Sequence, residues 1–174
     1  MSIEPGPPFF VPATFTVPLA LRTASFALEP LTVARNEADL EAWSTSVAHI
    51  RATPGFSGWT WPDEPMTLAR NEADLRGHVA DFEQRRGFTY SVLSVPGHEV
   101  IGCVYIYPSA AAGIDAAVRS WVRSTRAELD APLYEAVARW LHEDWPFATV
   151  DYAPRPRVVS MDATARRVGR GSAP

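Results

Sequence analysis

A chain of 174 residues with 47% apolar side chains can bury one substantial core, and two full domains would be crowded. Its net charge of −4 supplies no basic field, so neither nucleic acid nor an anionic membrane is expected as a partner. All sixteen basic residues are arginine. Without lysine there is no lysine-bearing phosphate loop, no Schiff base to pyridoxal phosphate and no Ser-Lys dyad, since each needs the primary amine itself.

Residues 1–24 form a proline-rich arm in which Pro5, Pro7, Pro8, Pro12 and Pro18 remove backbone donors and favour extended chain. Phe9, Phe10 and Phe15 give it apolar weight, so it is expected to drape over the folded part. The prolines break any apolar run that would serve as a signal or a span. The single cysteine, Cys103, excludes an intrachain disulfide and fits a reducing compartment, which together give a cytoplasmic expectation. No Cys/His cluster has zinc spacing, so no metal is expected.

The elements follow in order. A short strand is read at 25–29, where Phe26 and Leu28 alternate with smaller neighbours. Leu40, Trp43, Val47 and Ile50 recur at three- and four-residue steps and predict one helix over 36–51, stopped by Pro54-Gly55. Residues 55–65 read as a loop with large apolar side chains, Phe56, Trp59 and Trp61, suited to lining a pocket. Leu68, Leu75, Val79 and Phe82 predict a second helix over 67–86, with Thr67 as N-cap and Gly87 as the stop. Strands at 88–95 and 99–107 around Pro96-Gly97-His98 are the clearest hairpin signal. A strand at 116–123 alternates Val118, Ser120 and Val122 with Arg119, Trp121 and Arg123. A helix at 131–145 and a strand at 148–152 complete the order β, α, α, β, β, β, α, β. Residues 154–174, with five arginines and one acid, Asp162, are expected to be a basic disordered tail.

Residues 29–40 (EPLTVARNEADL) and 64–75 (EPMTLARNEADL) agree at ten of twelve positions. Two copies do not make a solenoid, and the expectation is a shared helix-entry segment with no part in chemistry.

The element order resembles the GCN5-related N-acetyltransferase fold over residues 25–153. Residues 115–147, DAAVRSWVRSTRAELDAPLYEAVARWLHEDWPF, look like that family's fourth strand, cofactor loop and following helix. Residues 100–108, VIGCVYIYP, look like the preceding strand with its usual Ile-Gly start. The resemblance implies an α+β fold with a mixed, mostly antiparallel sheet flanked by helices, of the acyl-CoA N-acyltransferase type. It also implies acetyl-CoA as cosubstrate, with no metal. The cofactor site it implies comprises Trp121, Val122, Arg123, Ser124, Arg126 and Asp130. In such a site a splayed strand offers backbone groups to the pantetheine arm and helix N-terminal amides hold the pyrophosphate. The family's loop has the form Arg/Gln-x-x-Gly-x-Gly/Ala, whereas this chain has RAELDAP at 126–132, without glycine and with Glu128 and Asp130 where an anion would sit. Asp130 also reads as a helix cap. The family's last helix and strand pair, which usually contributes a catalytic tyrosine, has no counterpart after Tyr152, so a second copy of the chain is a candidate cover for the exposed edge.

Tyr105 and Tyr107 share one face of a strand and can present hydroxyls to a pocket, or simply pack. Glu99 is a general-base candidate if buried, and otherwise a turn residue. These three are the catalytic candidates. His49 and Arg51, near the end of the first helix, with Phe56, Trp59 and Arg119, are the candidates for contact with an amine acceptor. The leading expectation is acetyl transfer from acetyl-CoA to an amine of a small molecule or peptide. The alternative, a non-catalytic binding or regulatory domain on the same scaffold, is favoured by the glycine-free acidic loop.

Overall fold

The computed structural model describes residues 10–58, 60–61 and 66–156. Six strands form one sheet in chain order: β1 (Leu21–Arg22), β2 (Phe26–Pro30), β3 (Phe88–Ser94), β4 (Val100–Pro108), β5 (Ala116–Val122) and β6 (Val150–Tyr152). Every neighbouring pair is antiparallel except β5–β6, which is parallel and returns through a helix. The helices are α1 (Asn36–Ser44), α2 (Val47–Ala52), α3 (Leu68–Glu83) and α4 (Asp130–Asp144), with 3-10 segments at Val33–Arg35 and Ser124–Leu129. The expected mixed, mostly antiparallel α+β architecture is therefore the one observed.

The sheet is covered on both faces, which is why all seven residues of β3 are buried. On one face α4 brings Leu133, Val137, Trp140 and Leu141 against Tyr90, Val104 and Val118. On the other, α1 to α3 bring Trp43, Ile50 and Leu75 against Leu93, Cys103 and Trp121. Strand alternation does the sorting, since in β5 Val118 and Val122 join the first cluster and Trp121 the second. Cys103 is a fully buried free thiol whose pKa burial pushes up.

The helix predicted over 36–51 breaks in two at Thr45 and Ser46. Thr45 Oγ1 donates to Glu41 O at 2.8 Å, and Ser46 N donates to Trp43 O at 2.9 Å in a tightened last turn. Hydroxyl side chains compete for helical carbonyls in this way. The four apolar residues of the predicted face still converge: Trp43 and Ile50 are buried, with Leu40 and Val47 packed beside them. Thr67 caps α3 as expected, its hydroxyl accepting from Arg70 N at 3.2 Å. Gly87 does not stop that helix. The chain leaves the helix at Arg85, which sits at φ 57° with its guanidinium donating to Pro12 O and Phe15 O.

That contact docks the described part of the N-terminal arm. Phe10 stacks on Phe88 and Phe147, Val11 is buried, and Tyr90 donates its hydroxyl to Pro18 O at 2.7 Å. Draping holds there, while Phe9 and residues 157–174 of the expected tail lie outside the described residues. Among the described residues no helix is long and apolar enough to cross a membrane.

Candidate functional site

The loop after α2 brings Phe56 and Trp61 over the face of β4 and β5, and α3 closes the other side. They enclose a cavity of about 310 Å³. Its walls are Phe56 and Trp61 from the loop, Asp74 and His78 from α3, Tyr105 and Tyr107 from β4, and Ala117 and Arg119 from β5. Tyr105 pairs with Arg119 and Tyr107 with Ala117 across the ladder, so all four project from one sheet face. Asp74 and His78 stand four residues apart, one above the other on α3.

The polar groups form a connected set. His78 Nδ1 lies 2.8 Å from Tyr107 Oη and 3.1 Å from Thr89 Oγ1. Tyr107 donates to Asp81 Oδ2 at 3.1 Å, and His78 Nε2 lies 3.7 Å from Asp74 Oδ2. Burial lowers the pKa of His78, outweighing the opposing pull of Asp74 and Asp81, so the imidazole is neutral near pH 7. Burial raises the Tyr107 phenol to about 12 and holds that of Tyr105 well above its ordinary value. Tyr105 accepts from Trp121 Nε1 at 3.2 Å. Arg119 Nε donates to Gly55 O at 2.9 Å, which ties the loop to β5.

Of the sequence candidates, Phe56, Tyr105, Tyr107 and Arg119 meet at this cavity. His49 and Arg51 are on α2 and do not line it: His49 Nε2 is buried without a hydrogen-bond partner among the described residues, and Arg51 donates to Thr60 O at 3.0 Å. Trp59 lies outside the described residues. Glu99 is half-exposed, away from the cavity, where it accepts from Arg123 Nη1 at 2.7 Å. Asp74, His78 and the neighbouring Asp81 escaped the sequence reading, although an acid and a histidine at four-residue spacing on one predicted helix were a legible signal.

The second feature is the fork between β5 and β6. The strands pair only at Ala116–Val150, Ala117–Asp151 and Val118–Tyr152, then diverge. Arg155 fills the opening with only 2% of its side chain exposed. Its Nη2 donates to Ser120 O at 2.7 Å, its Nε to Asp130 Oδ2 at 2.7 Å, and its Nη1 to Pro54 O and Ala153 O. Tyr152 Oη reaches Ser120 Oγ at 2.5 Å. Asp130, read as a helix cap, makes no capping bond; it is the first residue of α4 and holds Arg155 instead.

The loop beside the fork is similarly engaged. Ser124 N donates to Ser46 Oγ at 3.0 Å, Arg126 N to Arg123 O at 2.8 Å and Asp130 N to Ala127 O. Arg123 is clamped between Glu41 and Glu99 at 2.6 and 2.7 Å, Arg126 lies 3.9 Å from the same Glu99 carboxylate, and Arg119 faces the cavity, so the first two meet at Glu99 and the third is elsewhere. Trp121 and Val122 are wholly buried in opposite cores.

Solved structures give the fold a name. A ribosomal-protein-serine acetyltransferase candidate from Vibrio cholerae superposes with TM-score 0.55 at 12% identity, over 71% of this chain and 67% of that one. The ribosomal-protein-S5-alanine acetyltransferase from Vibrio fischeri gives 0.54 at 12% identity, over 72% and 68%. The chain carries the GCN5-related N-acetyltransferase fold. The microcin C7 self-immunity acetyltransferase, solved with acetyl-CoA and AMP, is similar at TM-score 0.53 and 11% identity, over 70% and 63%. No protein-family model and no curated protein matches the chain. In the N-acetyltransferase fold the fork between the two parallel strands is where an acyl-CoA arm would lie. The residues present do not fit one: the strand carbonyl at Ser120 and the α4 acid are engaged by Arg155, which occupies the fork, and three amides of the adjoining loop already donate within the protein.

Proposed function

We propose that this chain is a small-molecule-binding protein on the N-acyltransferase scaffold, with the cavity of Phe56, Trp61, His78 and Tyr107 as its ligand pocket and the acyl-CoA fork closed by its own Arg155. The observation that carries the reading is the Arg155 guanidinium, 2.7 Å from both Ser120 O and Asp130 Oδ2. Removing one partner of a buried pair strands the other charge, at a cost of roughly 3–5 kcal/mol, so a cofactor entering the fork would have to give Asp130 a new partner. The test is a calorimetric titration with acetyl-CoA and desulfo-CoA, repeated on Arg126→Ala. No saturable heat at millimolar ligand is expected from the folded protein. Saturable binding weakened by Arg126→Ala overturns the proposal.

A second reading, acetyl transfer from acetyl-CoA to an amine of a small molecule or peptide, has support of its own. The solved relatives above bear acetyltransferase names, one of them with acetyl-CoA bound. The neutral imidazole of His78 also lies at the cavity, where it suits acceptance of a proton from an amine. This reading requires Arg155 to leave the fork. Either reading suits action in the cytoplasm, and a second copy remains the candidate cover for β6, the edge strand among the described residues.

A further inference from the structure

His78 stands against two hydroxyls, and the number of protons among them fixes which of its nitrogens is free. Its Nδ1 lies 2.8 Å from Tyr107 Oη and 3.1 Å from Thr89 Oγ1. The ring is edge-on to Tyr107 and tilted against Tyr105, with centroids 6.1 and 5.5 Å away. Room for the phenol comes from Gly87, where a Cβ would overlap the Tyr107 ring. Turning the imidazole over would present carbon to both hydroxyls, so the orientation is set.

The chain of protons starts at Arg86. Its Nε donates to Asp81 Oδ1 at 2.9 Å and its Nη2 lies 2.8 Å from the same oxygen. Asp81 is thus paired as a carboxylate and keeps Oδ2 for Tyr107, 3.1 Å away. A carboxylate has no proton to give, so the one between Asp81 and Tyr107 is the phenol's. The phenol has no second one, and the contact between Tyr107 Oη and His78 Nδ1 must be carried by a hydrogen on Nδ1, of which Thr89 Oγ1 can accept a share. Burial keeps the imidazole neutral, with a single N–H, which leaves Nε2 a bare lone pair. Asp74 Oδ2 stands 3.7 Å from Nε2, beyond hydrogen-bond reach.

We infer that Tyr107 and Asp81 are positioning residues: together they hold His78 in its Nδ1–H tautomer and make Nε2 the acceptor that the pocket offers to an N–H or O–H group of its ligand. Tyr107 has no proton to give that ligand, because Asp81 holds it. This deepens the ligand-pocket reading and rests on it for the role of Nε2, whereas the tautomer belongs to the folded chain with nothing bound.

The experiment is long-range proton–nitrogen correlation NMR on the full chain, labelled with nitrogen-15 in histidine, at a pH above the His78 titration. Four histidines give signals, and those of His78 are the set missing from His78→Gln. A bare imidazole nitrogen resonates far downfield of a protonated one, so each ring reports its own tautomer. The expected pattern for His78 is Nδ1 protonated and Nε2 bare. Asp81→Ala removes the acceptor of the phenol, Tyr107 then donates to Nδ1, and the pattern should invert. Should that variant not fold, Tyr107→Phe replaces it: Nδ1–H loses its 2.8 Å partner and the Nε2–H form should appear. Asp74→Asn should keep the parent pattern, because a 3.7 Å contact does not set the tautomer. A parent His78 with its proton on Nε2, an unchanged pattern in the folded Asp81→Ala or Tyr107→Phe chain, or inversion in Asp74→Asn overturns the inference. No ligand enters this measurement, so its failure leaves the closed fork standing, and acetyl-CoA binding in its own titration leaves the tautomer standing.

Discussion

Asn36 and Asn71 occupy the same position in the two copies of the twelve-residue repeat, and they hydrogen-bond to each other, Asn71 Nδ2 donating to Asn36 Oδ1 at 2.9 Å. The two copies thus meet face to face where α1 packs on α3. Asn71 also donates to Asp39 Oδ2 at 3.0 Å and accepts from Trp43 Nε1 at 3.0 Å, while Asn36 donates to Leu68 O at 3.0 Å. Buried polar groups satisfied in this way fix one helix pairing rather than a sliding apolar contact.

Asp39 is the strained member of that network. Burial raises its pKa from 3.8 to about 6, with only the Asn71 bond pulling the other way. The folded state therefore holds its proton more tightly than the unfolded chain, and stability contributed by the protonated form is lost as pH rises from about 4 to about 6. Asp39→Asn keeps an acceptor for Asn71 and removes the ionisation. It should stabilise by about 1–3 kcal/mol at pH 7.5 and by almost nothing at pH 4, as read from urea unfolding at both values.

Arg155→Met should destabilise by about 3–5 kcal/mol, because the Asp130 carboxylate loses its principal partner at a nearly closed site. Arg155→Met combined with Asp130→Asn should recover more than half of that loss, since the stranded charge is gone. Equilibrium denaturation of the two variants checks both statements, and equal losses would mean that the pairing is incidental.

Gly102 pairs with Val122 across β4 and β5. A Cβ there would stand 2.1 Å from the backbone carbonyl of Trp121, which has no flexible end to yield. Gly102→Ala should cost at least about 2 kcal/mol through forced separation of the strands. A thermal melt unchanged from the parent would contradict the close approach.

The His78 imidazole should titrate below 6.5, because burial dominates its environment. Asp74 acts in the opposite sense, so Asp74→Asn should move the titration still lower. Two-dimensional NMR of the histidine ring protons against pH measures both, and an upward shift in the variant would refute the assignment.

Legibility followed sequence distance. The β3–β4 hairpin, the Thr67 cap and the apolar faces of α1 to α4 were readable because each rests on neighbours a few residues apart. The break at Thr45 and Ser46 was not, since Ser46 also accepts from Ser124 N, 78 positions away. Four of the candidate residues met at the cavity because strand alternation and the aromatic loop were visible locally. Asp74 and His78 were passed over because their role depends on which sheet face α3 covers.

The sequence alone determined the order of the elements from β2 onward apart from the split of the first helix, the faces each must bury and, through the chemistry of its residues, the lack of lysine-dependent reactions; β1 at Leu21–Arg22 was read as part of the arm. Only the tertiary structure decided what the charges do. Asp39 and Asp74 stand in nearly identical dodecapeptides, yet one is buried with a raised pKa and the other is half-exposed at a cavity. Arg155 reads as part of a basic tail and proves to be the occupant of the β5–β6 fork. Hydrophobic patterning is a local property carried by the chain, whereas solvation and charge pairing are set by whatever the folded chain brings alongside.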